Sequence, residues 1–349
     1  MLDNMEVDTL WYTRCPMPTA SGIAIKLGWL NDEFAPDGID VRSLSESTSR
    51  EVRESHFDHS LANSFREGGN TPPIWSRSRG ADTRLIGATW VDQYQAIVAL
   101  PESGIRSPAD LAGRRIGVSQ HVNDQIDFMR GKSLRAVLTA LELAGLTSAD
   151  VELVDLPEAE TYLGDVAAPS GTLWPAHLQQ AILRAETFAL IRGEVDAISV
   201  NGSGGAALDA LLGAVQVVDF GRHHDRDVRI SNGTPMAFTV SGELVRERPD
   251  LVRRYVETVR RAAAWARDNR SRTLQIIARE LGDAEEWVEI AYGEDLFTSL
   301  EPSLSAGVVD ALENQKDFLL RHGFIEHDFD VSGWAAPELY DRPATVSTC

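Results

Sequence analysis

Only two cysteines stand in 349 residues, Cys15 and Cys349. That excludes a small disulfide-stapled scaffold, and Cys15 is expected to be a free thiol with Cys349 an exposed bystander. No stretch approaches the roughly 18 consecutive apolar residues of a membrane helix, so the sequence offers no spanning segment. Basic residues are also scarce: 33 Lys and Arg against 53 Asp and Glu leave a formal net charge of −20. Such a field repels phosphate backbones and anionic membrane surfaces, so neither nucleic acid nor membrane is an expected partner. The opening residues, MLDNMEVDTLWY, lack both a basic start and an apolar core, so no export signal is read and a cytoplasmic location is expected. Internal repeats and low-complexity tracts are missing as well.

What is present is ordinary globular material, 43% hydrophobic and 25% charged, long enough for two domains that each bury a core. Period-two and short apolar runs predict strands at 7–13, 38–44, 83–90, 94–100, 150–156, 196–200 and 215–220, with a further one in LAGRRIGVS. Helical spacing predicts helices at 19–30, around 132–145, at 176–192, and from Pro249 onward, where proline followed by Asp250 marks a helix start. The segment 45–66 is polar and helix-compatible, and GGNTPP (68–73) breaks it. Strands alternating with helices imply parallel βαβ units and an α/β fold.

Five stretches bear on chemistry. In YTRCPMP the thiol of Cys15 follows a strand and precedes a helix, a position open to a reactive cysteine, although a buried core filler is what the residue type alone favours. Arg66 precedes Gly68 and Gly69; a guanidinium fork beside glycine backbone suits an anion, and a surface arginine before a loop is the plainer alternative. His56 can bond an anion or a thiol near neutral pH. His59, one turn on, is expected to be solvated, since two histidines and one Asp in HFDH are too few for a metal centre. Phe57 between them reads as core. RHHDRD (222–227) reads as a polar connector, and NGSGG (201–205) fails the nucleophile-elbow pattern because Asn201 occupies its first glycine position.

The order of elements, with DLAGRRIGVS, GEVDAI and SGELVRERPDLVRRYVET, resembles the type II periplasmic-binding-protein fold and its nitrate, sulfonate and thiamine-precursor group. YTRCPMP, the HF pair at 56–57, REGGNTPP, WARDN and the terminal WAAPEL resemble, more narrowly, the 2'-hydroxybiphenyl-2-sulfinate desulfinase family. That resemblance implies two lobes, residues 1–98 with 234–349 and residues 99–233, enclosing a cleft, with loop 164–175 as a lid. It implies a catalytic set of Cys15, His56 and Arg66, with Gly69 and Phe57 at the substrate, and no metal or cofactor. An aromatic sulfinate is the implied small-molecule partner, and a monomer the implied state. Lys132 stands where the family leads one to expect an aromatic and Arg14 where it leads to a small polar residue, so both are expected to contact or select the substrate. A solute-binding protein for a sulfonate- or nitrate-like anion, or a desulfinase for a different sulfinate, are the alternatives.

Overall fold

Ten strands and their flanking helices were located in a computed structural model that describes residues 6–163 and 183–340. Strands β1 (Thr9–Arg14), β2 (Asp40–Ser43), β3 (Ser64–Gly68), β4 (Thr83–Thr89) and β10 (Met236–Ser241) form one sheet in the order β2-β1-β3-β10-β4. Strands β1, β2 and β3 run parallel, and β10 runs antiparallel between β3 and β4. Strands β5 (Gln95–Ala99), β8 (Ile198–Asn201) and β9 (Val215–Asp219) form a second, antiparallel sheet in the order β8-β5-β9. Strands β6 (Arg115–His121) and β7 (Glu152–Glu158) pair in parallel beside it, joined through an Ile116–Ala197 bridge. The chain passes from the first sheet to the second between Thr89 and Gln95 and returns between Asp219 and Met236. A boundary drawn at residue 98 therefore cuts β5; the crossing lies earlier, at the TWVDQYQ turn.

The first sheet carries the site because of β3, which sequence periodicity assigned to a helix-compatible stretch. All five residues of SFREG are buried, Arg66 and Glu67 included. A strand covered on both faces shows no alternation, and two charges inside it disguise it further. Its apolar anchor is Phe65, which stacks on Tyr255 of the helix Pro249–Asp268 with centroids 3.7 Å apart and planes 7° apart. Truncating such a ring costs about 3–5 kcal/mol, enough to loosen the central strand.

Local signals explain the helices near the site. The run predicted as one helix over 19–30 divides into α1 (Ala20–Lys26), capped by the Thr19 hydroxyl, and α2 (Trp29–Phe34). Gly28 sits between them at φ 80°, a left-handed turn that no regular helix passes through. Helix α3 (Arg50–Asp58) is capped by Ser49 and stops where His59 enters the left-handed region at φ 56°. Helix α4 (Thr71–Ser78) begins directly after the glycine pair. Across the cleft stand α5 (Phe128–Leu143), whose N-cap Asp127 accepts the Arg130 N–H, α6 (Arg184–Ile191) and α7 (Gly202–Leu212). The expected lid loop 164–175, most of the expected helix 176–192 before Arg184, and Cys349 lie outside the described residues. Among the described residues no helix is long and apolar enough to cross a membrane.

Candidate active site

Strand β1 ends at Arg14, and the next residue, Cys15, is a buried free thiol. Two elements converge on its sulfur. From α3, His56 brings Nε2 to 3.7 Å of Sγ; from β3, Arg66 donates through Nη2 to the same sulfur at 3.6 Å. Both partners are held in place from behind. The Thr13 hydroxyl lies 2.8 Å from His56 Nδ1, and Arg66 donates from Nε to the His56 carbonyl at 3.0 Å and from Nη1 to the Gly69 carbonyl at 2.8 Å. The guanidinium thus ties α3, the glycine turn and the thiol together, a task suited to its rigid fork of donors.

Electrostatics set the histidine's state. Burial, then the neighbouring Arg66 charge, then His59, hold the His56 imidazolium far below the usual range, so the ring is neutral at working pH. Burial also lowers Arg66, countered by its interaction with the Cys15 sulfur. His59 is not solvated: it is buried, its Nδ1 lies 3.1 Å from the Phe57 carbonyl and its Nε2 3.3 Å from the Thr239 hydroxyl. Burial brings its pKa down to about 3. It serves as a neutral spacer between α3 and β10.

The backbone near the thiol requires glycine. Gly68 adopts φ 153°, and a Cβ placed there would stand 2.6 Å from Cys15 Sγ. At Gly69 a Cβ would meet Asn232 Nδ2 at 2.6 Å. That asparagine is part of a clasp: its Oδ1 accepts the Thr71 N–H at 2.9 Å, its carbonyl accepts the Asn70 N–H at 2.8 Å, and Asn70 Nδ2 donates to the Ser231 and Pro235 carbonyls.

These groups open onto a cavity of about 660 Å³. Cys15, His56, Arg66 and Gly69 line it together with Phe128, Met129 and Lys132 of α5 and the Asn201–Gly205 turn that starts α7. The structure therefore brings together Cys15, His56, Arg66, Gly69 and Lys132. Two expected contacts are corrected. Arg14 turns away from the cavity, fully buried, and donates from Nε to Glu280 Oε1 at 2.7 Å, tying β1 to the helix Arg270–Leu281. Phe57 stands behind the wall, edge-on to His56 with centroids 4.8 Å apart and stacked on Phe128 at 6.4 Å, so Phe128 presents the aromatic face that Phe57 was expected to supply.

Three lining groups escaped sequence reasoning. Phe128 and Met129 precede the predicted start of their helix, and Asp127 as a cap was the signal that would have extended it. NGSGG, rejected as a nucleophile elbow, contributes backbone at a helix start, with nothing within 4 Å of where a Gly204 Cβ would lie. Asn232 and Gly233 lie in a loop without a motif.

Comparison with known proteins places this geometry in context. The family model described as NMT1/THI5 like matches residues 23–272. A 2'-hydroxybiphenyl-2-sulfinate desulfinase of Rhodococcus erythropolis is 33% identical over 364 aligned positions, covering 98% of this chain and 95% of the relative. A crystal structure of a cysteine-to-serine mutant of DSZB in complex with biphenyl-2-sulfinic acid superposes with a TM-score of 0.76 at 30% identity, covering 96% of this chain and 98% of that one. The periplasmic aliphatic sulphonate binding protein SsuA of Escherichia coli superposes with a TM-score of 0.66 at 15% identity, covering 95% and 92%. That last likeness is one of fold, and it identifies the architecture as periplasmic-binding-protein-like.

Proposed function

Because the chain belongs to the NMT1/THI5-like family, and within it to that of the 2'-hydroxybiphenyl-2-sulfinate desulfinases, we propose that it is a desulfinase that cleaves the C–S bond of an aromatic sulfinate. The observation that supports this reading is the meeting of His56 Nε2 and Arg66 Nη2 on the Cys15 sulfur at the wall of an apolar cavity. A sulfinate is a pyramidal anion with two oxygens. Arg66 offers it charge and His56 a neutral ring nitrogen, while Phe128 and Met129 cover the arene and exclude water.

In this reading the Cys15 S–H delivers its proton to the ring carbon that bears sulfur. The C–H bond forms as the C–S bond breaks, and the bonding pair of the C–S bond becomes that of the C–H bond. Sulfur leaves as SO2, water adds to it to give bisulfite and a proton, and that proton restores the thiol. No oxidant or reductant enters. His56, neutral and oriented by Thr13, holds the sulfur and an incoming oxygen without competing as the acid. The second route open to Cys15 is attack on sulfur: the S–S bond forms as the C–S bond breaks, its electron pair goes to the ring carbon, which takes the thiol's proton, and water hydrolyses the Cys15–SO2 adduct to bisulfite and the free thiol. A reduced thiol at the centre of the site suits a cytoplasmic setting.

Incubation with biphenyl-2-sulfinate tests the reading: sulfite and biphenyl are expected in equal amounts, with no Cys15–SO2 adduct in acid-quenched mass spectra. Accumulation of that adduct would move Cys15 to the nucleophilic role. Tight binding without sulfite would return the chain to the solute-binding reading.

A further inference from the structure

Lys132 is a cation of the cavity that the C–S chemistry does not use. It stands in the second turn of α5 and lines the cavity that Cys15, His56 and Arg66 also line. Among the described residues it makes no hydrogen bond or ion pair, whereas another basic side chain of the lining, Arg184, is engaged by both Glu158 and Glu160. Its nearest acidic influence is Glu186 of α6: the two attract electrostatically, but no ion pair or hydrogen bond joins them, and that carboxylate is bonded to the Ser119 hydroxyl. Asp283, the carboxylate among the lining residues, is engaged by the Ser203 hydroxyl. His121, behind the wall, is held neutral by burial, its pKa down to about 4. The amine of Lys132 pays for its surroundings too, pulled down to about 8 by desolvation.

A desolvated ammonium with no hydrogen-bond or ion-pair contact is costly, and a protein relieves that cost by pairing it. Here the space in front of it is the ligand's. The start of α7 faces the same space with open backbone at Gly204, its partial positive charge answered by the Asp283 carboxylate bonded to Ser203, so Lys132 is the group there that offers an anion a full charge. With Arg66 proposed to hold the sulfinate, Lys132 gives the same cavity a second cation among apolar lining that includes Phe128 and Met129.

We propose that the substrate of this protein carries a second anionic group, a carboxylate, on the part of the molecule remote from the sulfinate, and that Lys132 pairs with it. The proposal rests on the desulfinase reading for the identity of the first anion. It makes Lys132 a specificity-determining residue that favours a dianionic aryl sulfinate over one with a neutral tail.

The probes are biphenyl-2-sulfinate and its 2'-, 3'- and 4'-carboxylate derivatives, with binding measured calorimetrically at pH 7 so that turnover is not needed for the readout. At least one carboxylate isomer is expected to bind the wild type about tenfold or more tighter than the unsubstituted sulfinate, as a charge-assisted hydrogen bond supplies. That gain is expected to fall to about one in Lys132→Met and to be largely kept in Lys132→Arg. In the wild type it should also decline as pH rises above about 8, which decides the matter if Lys132→Met does not fold. No gain with any isomer, or a gain that survives both Lys132→Met and high pH, overturns the proposal. Sulfite release is scored separately: its absence contradicts the desulfinase reading and leaves the binding preference to be judged on its own.

Discussion

The α-carbon of Gly68 lies against the thiol of Cys15, so close that a single added methyl would stand 2.6 Å from Sγ and 2.8 Å from the cysteine Cβ. Two central strands meet at this point: the Cys15 N–H donates to the Glu67 carbonyl at 3.2 Å, continuing the β1–β3 ladder to Cys15. Gly68→Ala therefore meets two penalties, a clash with the thiol and a φ of 153° that costs a residue with a side chain about 1–3 kcal/mol. The variant is expected to lose at least about a hundredfold in kcat/KM for sulfite release, with a lowered midpoint in thermal unfolding. Wild-type kinetics in Gly68→Ala would show that the thiol does not need this fit.

Thr13 holds His56 through a 2.8 Å contact to Nδ1. Thr13→Val keeps the shape and removes the hydroxyl, leaving a buried ring nitrogen without its partner at a cost of about 1–3 kcal/mol. Because the loss falls on orientation of the ring and not on the cavity wall, kcat is expected to drop about tenfold while KM changes little. A rise in KM at constant kcat would assign Thr13 to substrate binding instead.

A histidine at a reactive centre usually leaves its mark on a pH profile near 6.5; this one should not. Burial and the Arg66 charge keep His56 neutral well below that value. Between pH 6 and 7.5, kcat/KM is expected to stay constant within about twofold. An inflection near pH 6.5 that disappears in His56→Gln would contradict the neutral ring.

His59 makes a stability prediction with a definite sign. Its folded pKa is about 3, against an ordinary value of 6.5, so below pH 6.5 the unfolded chain binds a proton that the folded chain refuses. Stability is thereby lost as pH falls from 6.5 toward 3. Relative to the wild type, His59→Gln should gain up to about 1.4 kcal/mol per pH unit on acidification through that window, read from urea midpoints. Parallel curves for the two proteins would show that His59 accepts its proton in the folded state.

Much of the fold was legible because its signals are local. Alternation marks β2, short apolar runs mark β1 and β4, Pro249 with Asp250 marks a helix start, and the glycine pair marks the turn before α4. β3 was not legible, because a fully buried strand bearing Arg66 and Glu67 has the composition of a surface helix. The same limit governed the site. Cys15, His56, Arg66 and Gly69 were named from their residue types and a resemblance, and they do meet. The directions of side chains were beyond reach: that Arg14 turns to Glu280, and that Phe57 backs Phe128 without reaching the cavity, depend on contacts 266 and 71 residues apart in sequence. His59 misled for a related reason, since its burial is made by Thr239 of β10, a strand supplied late in the chain.

In the proposed function the Cys15 thiol is the group that makes C–S cleavage possible, and Cys15→Ser measures that directly. The substitution keeps the size and polarity of the side chain, so Arg66 and His56 still have an anion to hold. The variant is expected to bind biphenyl-2-sulfinate in calorimetry within about tenfold of the wild-type affinity and to release sulfite at least about a thousandfold more slowly. Sulfite release by Cys15→Ser at a rate near that of the wild type would contradict the account.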